Sequence, residues 1–378
     1  MPTISIRGME MPASPIRKLA PLADAAKQRG VHVFHLNIGQ PDLPTPEVAI
    51  EAIRNIDRKV LEYSPSAGYR SYREKLVGYY AKYNINLTAD DIIITSGGSE
   101  AVLFSFLACL NPGDEIIVPE PAYANYMAFA ISAGAKIRTI ATTIEEGFSL
   151  PKVEKFEELI NERTRAILIC NPNNPTGALL EPDEMEELAD IARSAGAWIV
   201  CDEMYRGLKE EYMPSMADIY DKAIVTCSSS KMFSMAGLRC GWIVCRDEKL
   251  RRELFNRRSY DSICGGVFDE WLFAIALEHA DKILERSRKI VSRNKAVVDK
   301  WLDGHPYLHQ YADAYGTTYL IHYDLDVDSE KFCDDLLDKK GVLVCHGDCF
   351  YLPHTFRLSL SHAEELEKGL ALIDEYIR

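Results

Sequence analysis

An α/β fold with a mostly parallel sheet is what this chain of 378 residues predicts. Short runs rich in β-branched residues at 91–95, 115–119, 136–140, 166–170, 198–202 and 223–228 alternate with amphipathic stretches at 99–110, 123–133 and 182–195. Strand and helix periods in alternation imply βαβ units, whose crossovers make the strands parallel. Three of these runs also lead into polar groups: Asn171-Pro172-Asn173-Asn174-Pro175-Thr176-Gly177, then Cys201-Asp202-Glu203-Met204-Tyr205, then Ser228-Ser229-Ser230-Lys231. Ligands of open α/β sheets bind outside the carboxyl ends of the strands. An amide, a carboxylate and an amine are therefore expected to meet at one sheet edge.

Past this region the pattern changes. Residues 281–302 predict a long charged helix with an apolar stripe through Ile283, Ile290, Val297 and Trp301, closed by Gly304 and Pro306, and bridging to a second unit. That unit is expected to hold strands at 317–323, 342–345 and 355–360 and helices at 329–339 and 363–377. The first forty residues, broken by Pro12, Pro15 and Pro21, predict an arm packed on it. The expected division is an arm with part of a small domain at 1–40, a large domain at 41–285 and a small α+β domain at 286–378.

Composition narrows the function classes. Lys and Arg number 43 against 57 Asp and Glu, a formal charge of −14, and nucleic acid as the main partner is disfavoured because phosphate backbones need a basic face. The longest apolar run, 101–110, contains Ser105 and falls short of the roughly 18–20 residues of a membrane span. No secretory signal is visible at the N-terminus. The ten cysteines show no CxxC pair and no zinc spacing, which predicts reduced thiols in a cytoplasmic protein and no metal site.

The strand-end residues carry the chemistry. Lys231 alone reads as a solvated lysine, but desolvation beside a second cation such as Arg239 would free its amine to attack an aldehyde. Ser228 and Lys231 also fit S-x-x-K, the pattern of serine acyl enzymes, whose companion Ser-Asp-Asn and Lys-Thr-Gly elements are absent. Asp202 could hold a heterocyclic nitrogen protonated, as a pyridoxal phosphate ring requires; its plain alternative, like that of Glu203, is a helix cap. Asn174 sits in a turn of two prolines and a glycine that presents its amide. Upstream, Thr95-Ser96-Gly97-Gly98-Ser99-Glu100-Ala101 joins a strand to a helix through two glycines, a geometry suited to phosphate at a helix N-terminus.

Taken in order along the chain, these motifs resemble the class I/II aminotransferases of the fold-type I pyridoxal phosphate enzymes. The resemblance runs from Asn37-Ile38-Gly39-Gln40-Pro41-Asp42 through Tyr63, Gly68, the Gly-Gly-Ser turn and Pro121-Ala122-Tyr123 to Phe356-Arg357-Leu358-Ser359. It implies a seven-stranded, mostly parallel sheet flanked by helices, with a smaller domain beside it. It further implies that Lys231 forms a Schiff base with the cofactor and moves the substrate proton. Asp202 would face the ring nitrogen, Asn174 and Tyr205 its phenolate oxygen, and Tyr123 its face. Gly97, Gly98, Ser99, Ser228 and Arg239 would hold the phosphate, and Tyr63 would reach the phosphate of the neighbouring subunit in a homodimer. Arg357 would fork onto the substrate α-carboxylate, near Gly39 and Asn174. The reaction implied is ping-pong amino transfer from an L-amino acid to a 2-oxo acid.

Within that family the opening at 40–42 is most similar to bacterial aspartate aminotransferases, which implies aspartate or a related amino acid as substrate. Two segments depart from the family: His346 stands where relatives carry proline, and 260–269 lacks the usual small-residue pattern. Arg257 and Arg258 are the positional candidates for a side-chain carboxylate, against a solvated helix face as the plain reading. A β-eliminating lyase or a cyclising or decarboxylating enzyme on the same scaffold is the alternative, and a non-catalytic cofactor sensor a remote one.

Overall fold

The computed structural model describes residues 2–39, 43–57, 59–208, 213–310, 315–361 and 364–378. Its centre is a seven-stranded sheet in the order Ile92–Thr95, Gly241–Cys245, Ala223–Ser228, Trp198–Asp202, Thr164–Cys170, Glu115–Glu120, Lys136–Ala141. Gly241–Cys245 alone runs antiparallel to its two neighbours. It is the strand that the sequence pattern did not separate from the Ser-rich segment before it, because a continuous apolar run has no period of its own.

Both faces of this sheet are buried, and single strands show why. In Thr164–Cys170, Ala166, Leu168 and Cys170 enter one core while Ile167 and Ile169 enter the other, as the twofold alternation of a strand requires. Helices Gly98–Cys109, Asn125–Ala133 and Glu248–Asp261 cover the first face. Arg70–Ala81, Pro182–Ala195 and Val267–Glu278 cover the second. Pro182–Ala195 has the expected ends because its chemistry is local: proline in the first turn, a reciprocal Glu181/Glu184 capping box, and left-handed Gly196 after the last turn.

The helix Ala280–Leu302 starts in the large core with Ile283 and Leu284 and continues into a third core with Val291 and Val298. The buried stripe is therefore rotated from the expected one, with Val297 and Trp301 only partly covered. That third core belongs to a four-stranded antiparallel sheet, Cys345–His346, Thr355–Ser359, Thr318–Tyr323, Leu308–His309, backed by Ser329–Lys340 and Leu366–Ile377. The single strand expected at 342–345 is two. Val342–Leu343 pairs in parallel with Phe34–His35, and Cys345–His346 joins the antiparallel sheet. Residues 362–363, where the last helix was expected to begin, lie outside the described set, as do 40–42 of the opening motif. In the arm, the helix Leu19–Gln28 sets Leu19, Ala23 and Ala26 against Leu337, Leu343, Cys345 and Phe350.

One buried ion pair braces the strand ends. Glu203 takes Arg206 Nε at 2.6 Å, the Ser215 hydroxyl at 2.8 Å and the Met216 amide at 3.0 Å, and Arg206 donates onward to the carbonyls of Met213 and Pro214. Glu203 is thus a fully satisfied buried anion rather than a helix cap. Glu203→Ala would strand a buried guanidinium, and we expect it to cost about 3–5 kcal/mol, measured as a lower urea midpoint at unchanged slope.

Candidate active site

Asn174, Asp202 and Lys231 follow or end three adjacent parallel strands, so the sheet itself brings amide, carboxylate and amine to one edge. Asp202 is buried, and its two oxygens accept the Tyr126 hydroxyl at 2.8 Å and the Met204 amide at 3.2 Å. Burial pushes its carboxyl up to about 6, against the Tyr126 and Met204 donors that favour the anion. A cationic ring nitrogen beside it would offset that burial. Tyr126 was not singled out from the sequence, although it stands one helical turn past Tyr123. The two rings meet edge to face at 5.5 Å, and Asn125 donates to the Tyr123 hydroxyl at 2.8 Å. Tyr205 is buried in the same wall.

Lys231 carries the lowered pKa the chemistry needs. Burial brings its amine down to about 8 from an ordinary 10.5, helped by the Arg357, Arg239 and Arg17 charges and opposed by Asp202. The backbone at Gly39 passes beside it, where an added Cβ would stand 3.9 Å from Lys231 Nζ. Arg357, in the middle of Thr355–Ser359, donates to Asn174 Oδ1 and to the Asn37 carbonyl, both at 2.9 Å. The Phe350 ring lies 4.9 Å beneath its guanidinium, and among the described residues its Nε has no partner. The buried Asn37 Oδ1 is likewise unpartnered. Asn37 enters the sequence reading only as the first residue of the opening motif and Phe350 has no role there, because a carbonyl contact and a ring platform leave no motif.

The phosphate end is built on backbone. Gly97 caps the helix Gly98–Cys109 at φ +83°, a conformation that favours glycine. A Cβ there would run into the Arg239 guanidinium, and one on Gly241 into the Gly97 backbone. Arg239, itself left-handed at φ +56°, donates to the carbonyls of Ala236 at 3.0 Å and Ser96 at 3.5 Å. Gly98 and Ser99 open the helix, where first-turn amides lack an intrahelical acceptor. The Ser228 hydroxyl accepts from the Ser230 amide at 3.1 Å and sits against Met204 sulfur at 2.9 Å.

Tyr63 alone stands apart from this cluster, exposed on a stretch with Val60 and Leu61. The expectation of a solvated face for Arg257 and Arg258 needs correction in part. Arg258 is fully buried and bonded to Glu100 at 2.6 Å, because Glu100 and Ser262 form a polar network under the helix start, while Arg257 pairs with Asp261 on its own helix. His346 is buried, with Nε2 3.4 Å from Cys349 sulfur and Nδ1 3.4 Å from Asp348.

These residues fit a phosphate-bearing aldehyde. A cradle too tight for a Cβ, an amine with a lowered pKa, a buried carboxylate and a guanidinium with a free donor are the groups such a ligand needs. They make this edge of the sheet the candidate active site for a lysine and a bound aldehyde cofactor. The comparisons with known proteins agree. Residues 31–373 match the family described as Aminotransferase class I and II. An aspartate aminotransferase of Pyrococcus horikoshii is 32% identical over 89% of this chain and 88% of its own. One of Thermotoga maritima is 29% identical over 99% of each. The solved aspartate aminotransferase of Thermus thermophilus with maleate superposes with a TM-score of 0.92 at 27% identity, covering 99% of this chain and 100% of that one. The chain belongs to the class I and II aminotransferases. It is a pyridoxal phosphate-dependent transaminase of the fold that its sequence predicts.

Because a lysine attacks an aldehyde only as the free amine, cofactor uptake should follow Lys231 deprotonation. Its folded pKa is depressed, so the reactive form is present above about pH 8 and lost below it. Mixing cofactor-free protein with pyridoxal phosphate in a stopped-flow absorbance experiment should give a rate that rises with pH to a midpoint near 8, about tenfold slower at pH 7 than at its plateau. Lys231→Ala should remove the near-visible band altogether.

Proposed function

We propose that the chain moves the amino group of aspartate, or of a related amino acid, to a 2-oxo acid in two successive half-reactions at one site, and does so as a homodimer in the cytoplasm. The observation that carries this reading is the Lys231 amine, lowered to about 8 by burial and the Arg357 guanidinium against the pull of Asp202. The aspartate aminotransferases among its relatives support the substrate.

Pyridoxal phosphate, when bound, supplies the aldehyde carbon that takes the amino group and an electron-withdrawing ring. The chain's own residues then divide the work. Asp202, oriented by Tyr126, stabilises positive charge on the ring nitrogen. Gly97, Gly98, Ser99, Ser228 and Arg239 hold the phosphate, Asn174 and Tyr205 the ring oxygen, and Tyr123 the ring face. Arg357, already fixed by Asn37 and Asn174, receives the α-carboxylate, and that grip sets the Cα–H within reach of Lys231. Lys231 Nζ takes the α-proton as a general base and returns it on the other side of the transfer. Residues 41–285 would form the cofactor-binding domain, with 1–40 and 286–378 as the small one.

The exposed Val60, Leu61, Tyr63, Tyr260 and Ile263 support a partner subunit over this face, with Tyr63 reaching its phosphate. No helix among the described residues is long and apolar enough to cross a membrane.

A screen of single amino acids against the near-visible band of the cofactor-loaded protein tests the reaction. Aspartate should bleach the band, and a 2-oxo acid should restore it without release of ammonia; ammonia appearing with no acceptor present would reveal a lyase instead. In the same assay Arg357→Lys should lower kcat/KM by about 100-fold for every substrate, the loss of one bidentate charged contact.

A further inference from the structure

The chain changes character abruptly at Tyr63. Val60, Leu61 and Tyr63 are exposed, Tyr63 by 78%, whereas Ser64 beside it is only 6% exposed. One carboxylate accounts for the change. Glu270, on the helix Val267–Glu278, accepts the Ser64 hydroxyl at 3.2 Å on Oε1 and the Tyr69 amide at 2.9 Å on Oε2. It thereby clamps both ends of the loop 64–69. Between those ends the Gly68 amide donates to the Pro65 carbonyl at 2.8 Å, and the Ile94 amide to the Ala67 carbonyl at 3.0 Å. Ile94 lies in the strand Ile92–Thr95, which leads into the Gly97 turn.

Glu270 is an unusual group for its place. Leu272, Phe273, Ala276 and Leu277 on the same helix are buried and apolar, and Glu270 itself is 1% exposed. Burial raises its carboxyl, against the Tyr69, Ser64 and Arg258 groups that favour the anion. A Cβ on Gly265 would stand 2.5 Å from Glu270 Oε1 and 3.4 Å from Arg258 Nη2, so the carboxylate occupies room that a larger residue would fill. Arg258 stays out of hydrogen-bond contact with it. That guanidinium is bonded to Glu100 through Nη1 at 2.6 Å, and its Nη2 has no partner among the described residues. A buried carboxylate with no cation in contact costs stability that an apolar side chain there would not. What Glu270 secures is the loop that presents Tyr63.

We propose that Glu270 is a positioning residue for the cofactor site of the neighbouring subunit: by clamping Ser64 and Tyr69 it aims the Tyr63 hydroxyl at the phosphate bound there. This rests on the homodimer reading and adds to it the group that fixes the reaching tyrosine before the ligand arrives. A tyrosine on a free loop would lose conformational entropy on meeting phosphate, and a loop clamped at both ends has already lost much of it. The segment 260–269, which departs from the family pattern, gains a physical reason as well. Gly265 leaves the space that Glu270 Oε1 occupies, and its carbonyl lies 3.5 Å from the Ser64 hydroxyl.

The test is a double-mutant cycle on cofactor affinity, read as growth of the near-visible band when cofactor-free protein is titrated with pyridoxal phosphate. Tyr63→Phe should weaken binding about tenfold, the loss of one hydrogen bond to a charged group. Glu270→Ala should weaken it by a similar factor, and the double variant should be no weaker than either alone, because a tyrosine no longer aimed has nothing left to lose. Glu270→Gln, which still accepts the Tyr69 amide and donates to the Ser64 hydroxyl, should bind nearly as the parent does. Ser64→Ala opens the clamp at the Tyr63 end without touching the helix and should reproduce part of the loss. Pyridoxal, which has no phosphate, separates positioning from folding. Every variant should bind it as the parent does, whereas a merely structural role for Glu270 would weaken both ligands alike. Multiplied losses in the double variant, parental affinity in Ser64→Ala, or equal losses of the two ligands in Glu270→Ala overturn the assignment to Glu270 while Tyr63 keeps its role. A parent that sediments as a monomer at the titration concentration, or a Tyr63→Phe variant with unchanged affinity, overturns the reading of Tyr63 in a homodimer and the proposal with it.

Discussion

Everything at this site depends on easing the proton off one buried lysine. An ammonium loses solvation on burial, and a neighbouring guanidinium raises the cost further; the two effects together bring Lys231 to about 8. On the proposed reading, the positive field that eases off its proton also attracts the anionic ends of cofactor and substrate. One electrostatic arrangement therefore serves both binding and proton transfer. Asp202 limits the effect, and its own carboxyl, raised by burial to about 6, is held as an anion by Tyr126 and Met204.

The strand Trp198–Asp202 and the residue after it show how a fold separates structure from chemistry. Consecutive side chains at a strand end diverge, so Asp202 enters the cleft while Glu203 turns into the buried pair with Arg206. A site carboxylate and a bracing carboxylate thus sit side by side without competing. The Arg206 guanidinium in turn fixes the backbone at Met213 and Pro214, and this rigid footing keeps the strand ends in register. Arg258 and Glu100 play a comparable part under the phosphate helix.

Much of the fold was legible because its signals are local. The helix Pro182–Ala195 carries both of its own stops, and the strand Ala223–Ser228 its β-branched run, so their bounds were readable in place. Gly241–Cys245 was not, since an apolar strand flanked by a Ser-rich loop has no period to mark it. The run 342–345 could not show that it splits between two sheets, because the partners that divide it, Phe34–His35 and Thr355–Ser359, are remote in sequence. Arg258 read as solvated for the same kind of reason: the carboxylate that buries it, Glu100, comes from a distant helix.

By itself the sequence determined the α/β class, the strand-end trio Asn174, Asp202 and Lys231, and the cofactor they suit, since each is written in a contiguous motif whose chemistry needs no partner to be recognised. Only the tertiary structure decided what surrounds them. Tyr126 on Asp202, and Asn37 and Asn174 on Arg357, are contacts between segments far apart in the chain. Their energies come from burial and from charges brought close together, and those exist only once the chain has folded.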